Sequence, residues 1–195
     1  MTLRNRIALA IFASLLSACS TTNVGLKYVP TTTVTKVQDA QYPVAIGPFI
    51  DKREEPGKWL GAIRGGYGNP MKNLEAERPV AEMGQSAFSE GLRARGIKVA
   101  DEGKRKVIGT VIKLECNQYV RREAYVDIEI AVLDQAGQQQ FTKTYSASKV
   151  EGSLITLDAG IFASVDDLRI VLEKTLRQAI DQALDDHALI AALQP

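Results

Sequence analysis

Residues 107–147 carry the pattern that most restricts the fold. Val126, Ile128, Ile130 and Val132 are separated by single residues that include Asp127 and Glu129. A period of two is that of a strand with one face in an apolar core and the other in water. Over 107–116, Ile108, Ile112, Leu114 and Cys116 are expected on one face of a preceding strand, with Thr110 as the polar exception. Phe141, Tyr145 and Ala147 mark a following strand, where Thr142, Thr144, Ser146 and Ser148 face away. Asp134-Gln135-Ala136-Gly137 supplies turn chemistry between the last two strands, and the link around Arg121 to Glu123 supplies a less distinct turn. Hairpin-joined strands with one polar face predict an antiparallel sheet covered on one side only.

Two helical periods supply the cover. Val80, Met83, Gly84, Ala87, Phe88, Gly91 and Leu92 form one apolar stripe between Pro79 and Gly96, which suit the start and the end of a helix. Leu168, Leu172, Leu176, Ala179, Ile180, Ala183 and Leu184 form a second stripe, and Ser164 with Asp167 fits a capping box before it. Val44 to Ile50 is a short apolar run of strand length, its second half weakened by Pro48. Residues 51–75, with their glycines and prolines, read as the longest irregular segment. The expected class is therefore α+β: a mostly antiparallel sheet of four to five strands, two helices on one face, order β-α-β-β-β-α.

The N-terminus has the three parts of a secretory signal. Arg4 and Arg6 precede the apolar stretch Ile7 to Leu16, and small residues follow at Ser17 and Ala18 before Cys19. The apolar stretch is too short for a bilayer span, which needs roughly 20 residues. An ordinary signal cut at Ala18 and an uncut anchor are the rival readings. Leu16-Ser17-Ala18-Cys19 resembles the lipobox of bacterial lipoproteins. That resemblance implies a leader over 1–18 and a diacylglyceryl-cysteine at Cys19, often with a further acyl chain such as palmitate. Ser20 rather than Asp after the cysteine implies sorting to the outer membrane, facing the periplasm. Residues 19–41 are expected to be a flexible tether, with a short strand around Val34 to Val37, and 42–195 a single domain.

Lys and Arg total 24 and Asp and Glu 23, for a formal net charge of +1. That balance gives no electrostatic pull toward nucleic acid. The two cysteines exclude a disulfide framework if Cys19 is acylated, and the alternation places Cys116 on a buried face. One histidine, His187, and one further cysteine make no zinc site or catalytic triad, so neither metal, cofactor nor enzyme activity is expected. His187 is read as a charge near the end of the last helix. Gly65-Gly66-Tyr67-Gly68 lacks the Gly-Lys-Ser/Thr of a phosphate loop. The best candidate contact surface is the loop that carries Trp59, Arg64 and Tyr67, rimmed by Asp51 and Arg53, because Trp, Tyr and Arg are favoured interface anchors. The alternative is that Trp59 folds back into the core.

The lipobox, Val44 to Phe49, Asp51-Lys52-Arg53 and Ile63-Arg64-Gly65-Gly66, taken with the order of elements, resemble the YajG-like lipoproteins. The order is also similar to the N-terminal domain of TolB, a fold shared with the secretion lipoprotein CsgG and the activator LpoB. The resemblance implies a non-enzymatic binding or assembly factor of the cell envelope, held to the membrane by acylated Cys19, with an envelope protein as partner and oligomerisation open. A subunit of an oligomeric secretion pore and an accessory lipoprotein of a lipid transport system are the alternatives.

Overall fold

The computed structural model of the chain describes residues 20–30, 42–152 and 164–195. In chain order the strands are β1 (Ser20–Val24), β2 (Val44–Asp51), β3 (Trp59–Arg64), β4 (Pro70–Ala76), β5 (Val99–Ala100), β6 (Arg105–Gln118), β7 (Arg122–Leu133) and β8 (Gln139–Glu151). Helix α1 (Val80–Ala94) lies between β4 and β5, and α2 (Val165–Leu184) and α3 (His187–Ala192) follow β8.

The long meander β6–β7–β8 is antiparallel, as its alternation predicts. The rest of the sheet is not. Among the described residues the sheet has eight strands and is mixed: β2 and β3 run parallel to β6, β5 parallel to β2, and β1 parallel to β4. The expectation of four to five mostly antiparallel strands missed this half. Val44 and Ala45 are both buried, but the second half of β2 alternates, with Phe49 buried and Ile50 54% exposed, so its local pattern does not distinguish a parallel from an antiparallel partner. Residues 51–75 are not irregular either. Most of the segment is the antiparallel hairpin β3–β4, hidden in the sequence because its ladder shifts register at Trp59/Gly61 and at Ile63/Arg64.

A bulge reverses the expected faces of β6. Val107, Gly109 and Val111 point inward, then Leu114, Cys116 and Gln118 do, with the register shift between Val111 and Lys113. Ile112 is the extra residue and stands 41% exposed, and Ile108 is only half-buried. One inserted residue exchanges the two faces of a strand, so a strict period of two that placed Leu114 and Cys116 correctly placed Ile108 and Ile112 on the wrong face.

Helix α1 lies on β2 and β6, and α2 lies on β6, β7 and β8 beside α1. They share one apolar core with the inner face of the sheet. Gly91 lets the helices approach: a Cβ there would stand 2.8 Å from Ile180 and 2.9 Å from Leu184. Ser164 caps α2, its Oγ accepting from the N–H groups of Asp166 and Asp167 at 3.2 and 3.4 Å. Helix α2 stops at Leu184, and His187 opens α3 instead of closing the previous helix.

Residues 20–30 are part of the domain, which corrects the expected tether over 19–41. β1 pairs with β4 from Ser20 to Val24, and Val24, Leu26 and Tyr28 are core residues. The Tyr28 hydroxyl donates to Asp181 Oδ1 at 2.6 Å, and Arg95 at the end of α1 donates to Asp181 (3.2 Å) and Asp185. Burial and the bond to Asp181 push the Tyr28 hydroxyl up to about 12. The leader, Cys19 and the strand expected around Val34 to Val37 lie outside the described residues.

Candidate functional site

Two strands share one edge of β6 end to end. β2 holds that edge as far as Asp51 beside Val111, and β3 takes over at Gly61 beside Cys116. Between them β6 has no strand alongside, and its carbonyls need other donors. The backbone N–H of Lys52 donates to Val111 O at 2.9 Å. Arg53 does the rest. Its Nη1 donates to Leu114 O (3.1 Å) and Trp59 O (2.6 Å), Nη2 to Gly57 O (3.3 Å) and Asp51 Oδ2 (2.9 Å), and Nε to Asp51 Oδ1 (2.8 Å). All five guanidinium donors are thereby engaged inside the fold. Asp51 also accepts from the N–H groups of Gly57 (2.9 Å) and Arg53 (3.2 Å). Burial works against its charge, but the guanidinium of Arg53 and the two amides outweigh it, and its pKa lies below the ordinary carboxylate value.

Asp51 and Arg53 are therefore a clamp that closes the gap between two strands. Consecutive charges look solvated in sequence, but Arg53 is buried and spent on Asp51 and on backbone oxygens, and it reaches the neighbouring cleft only as part of its lining. Gly61 completes the junction. At φ +148 its missing side chain lets β3 pass against β6, where a Cβ would fall 1.6 Å from Cys116 O.

The junction leaves a cleft of about 240 Å³ on the face of the sheet away from the helices. Trp59 and Ile112 form its apolar wall, and in its charged lining Glu54, Glu55, Glu115 and Asp127 outnumber Arg53 and Lys113. Lys113 is turned to Glu115 (3.4 Å) and lies 4.6 Å over the ring of Tyr125. An apolar shelf with carboxylates at its margin suits a Lys or Arg side chain, stem on the shelf and head at the acids. The bulge at Ile112, illegible in the sequence, is what turns that side chain into the cleft wall.

The other candidates are not together. Trp59 and Arg64 are the two ends of β3, about 17 Å of strand apart. Arg64 Nη1 donates to Gly68 O at 3.1 Å and stiffens the tip of the β3–β4 hairpin, where Tyr67 is fully exposed. The Tyr119 hydroxyl, from the β6–β7 turn, donates to Gly66 O at 2.7 Å and braces that tip. Sequence reasoning missed Tyr119 because only the pairing of β3 with β6 brings the two turns together. Cys116 is buried with its thiol pushed up by that burial, which makes it a packing residue. Among the described residues no helix is long and apolar enough to cross a membrane.

These features define a mixed α+β domain with one helix-covered face and an open cleft at a strand junction. The chain belongs to a family of uncharacterized lipoproteins, whose model matches residues 49–194. Its fold is similar to that of a Xanthomonas campestris protein of family DUF330, at 13% identity and TM-score 0.60, over 90% of this chain and 98% of that one. It is similar as well to a structure described as an uncharacterized protein, at 10% identity and TM-score 0.55, over 85% and 96% of the two chains. The likeness to the PelC dodecamer from Paraburkholderia phytofirmans is looser, at 14% identity and TM-score 0.43 over 77% and 93% of the chains. No curated protein sequence matches the chain.

Proposed function

We propose that this lipoprotein is anchored in the outer membrane through acylated Cys19, faces the periplasm, and acts without catalysis by binding a basic segment of an envelope protein in the Trp59 cleft. The observation that carries the binding half is the cleft itself: an apolar shelf made of Trp59 and Ile112 in a lining where four carboxylates outnumber two cations, both engaged within the protein. Family membership supports the lipoprotein half. Two or three acyl chains give a stable anchor where one does not. Three groups with chemical potential have structural roles: Asp51 and Arg53 hold the strand junction, and Cys116 is buried. A pore would need spare strands to cross a bilayer, whereas β6 and β7 carry the domain's own core on their inner faces.

The test is a photoreactive residue at position 59 in intact cells, read beside Glu54→Gln/Glu55→Gln. Capture of a discrete protein through a Lys- or Arg-containing peptide, weakened by the double substitution, is the expected result. No adduct, with the protein folded and membrane-bound, would overturn the cleft as a binding site.

A further inference from the structure

One row of paired residues crosses the sheet at one end. Ser20 of β1 lies opposite Lys72 of β4, Lys72 opposite Ile63 of β3, and Ile63 beside Gln118 of β6. Gln118 lies opposite Arg122 of β7, and Arg122 opposite Glu151 of β8. The turns 65–69 and 119–121 project beyond this row, joined by the bond from Tyr119 to Gly66. Cys19 is joined by a peptide bond to Ser20, the first residue of β1. From β1 to β6 is three strand spacings, roughly 14 Å. The residue read as the lipid anchor and the two turns therefore share one end of the domain.

That end is apolar, aromatic and basic. Tyr67 is 102% exposed, Tyr119 49%, Val120 42% and Met71 41%. Arg64 and Lys72 stand among them with no acidic residue in 64–74, whereas Arg121 and Arg122 are paired with Glu123 (3.9 Å) and Asp167 (3.0 Å). Tyrosines at headgroup depth, with basic side chains beside them, are the composition favoured where protein meets lipid. The fold also removes the slack that would let the domain stand off, since β1 begins at Ser20, the residue after the anchor.

We propose that the braced turns are a membrane-seating surface. Tyr67, Tyr119, Val120 and Met71 rest in the headgroup layer beside the acyl chains of Cys19, and Arg64 and Lys72 lie at the level of the lipid phosphates. This rests on acylation of Cys19. The occupant is a lipid surface because the anchor emerges at this end and no other. Seated so, the domain holds the Trp59 cleft a strand's length from the bilayer, open to the aqueous side.

The test uses full-length protein purified from membranes, its acylation checked by intact mass, and reconstituted in vesicles of phosphatidylethanolamine and phosphatidylglycerol. Some of the lipid is brominated close to the headgroup. Wild type reports through Trp59, its single tryptophan, and Trp59→Phe/Tyr67→Trp reports from the fully exposed tip. The expected result is loss of emission from position 67 and unchanged emission from position 59. Acylated, vesicle-bound protein with no quenching at position 67 would overturn the seating and leave the anchor standing. A photoreactive residue at position 67 that captures protein instead of lipid would overturn it too, in favour of a docking surface. An unacylated Cys19 in the mass spectrum would remove the anchor and the seating together, and the mass alone identifies that failure.

Discussion

Gly61 is the residue with the least room for change. A Cβ would fall 1.6 Å from the carbonyl oxygen of Cys116, and that atom belongs to backbone that cannot move without breaking the ladder. Gly61→Ala is expected to cost roughly 4 kcal/mol or more, in the range where a single change is diagnostic, measured by urea unfolding. Asp51 follows. Its side chain is 13% exposed and that of Arg53 5%, so Asp51→Ala leaves a buried guanidinium without its counter-charge. Breaking such a pair costs about 3–5 kcal/mol. The loss shows as a lower denaturation midpoint with an unchanged slope. Substitution of neighbouring Glu54, which lies at the cleft and outside the clamp, is expected to leave the midpoint nearly unchanged.

At the scale of elements, β1 and the segment after it decide whether the N-terminal region is linker or domain. Tyr28 reaches between α1 and α2, near Gly91 and bonded to Asp181. Tyr28→Ala is expected to lower stability by roughly 3 kcal/mol, the scale of deleting a buried aromatic, where a change in a true tether would have no effect on thermal unfolding. Helix α3 is fixed to β8 through Asp186. That carboxylate accepts from Lys143 Nζ (2.7 Å), Tyr145 Oη (2.9 Å) and the N–H of Ala188 (2.8 Å). The bond from Lys143, then those from Ala188 and Tyr145, hold its pKa down to about 2 against burial. Asp51 is lowered as well. A carboxyl with a lower pKa in the native state than in the unfolded chain stabilises fully above about pH 4 and loses that contribution as pH falls through its native value. Stability is therefore expected to decline between about pH 4 and pH 2, the window set by the unfolded value and by Asp186. Asp186→Asn should flatten part of that decline, measured by denaturation at successive pH values.

For the whole molecule, the arrangement of the two ends matters most. Trp59 and Tyr67 look like one surface in sequence, eight positions apart, and the hairpin sends them to different places. Photoreactive residues at the two positions are expected to give different adducts in the same cells: protein from 59, lipid from 67. Identical protein adducts from both would mean that a single partner covers hairpin and cleft, and the division of labour would fail.

The sequence by itself determined the local and periodic features. The alternation of β7, the stripes of α1 and α2, the cap at Ser164 and the turn at Asp134 to Gly137 depend on contacts within a few residues, and each was legible. So was the burial of Cys116, although the face assigned to the start of its strand was wrong. Tertiary structure decided what depends on distant neighbours. The parallel half of the sheet, the bulge at Ile112 and the hand-over of the β6 edge are products of pairing between remote strands, and no local period records them. The same holds for the functional residues. Asp51 and Arg53 were visible as charges, but that they fill a gap in a sheet follows only once β2 and β3 lie end to end along β6. Tyr119 reached the Gly66 carbonyl beside Tyr67 for the same reason: a hydrogen bond across 53 residues needs a fold before it has a geometry.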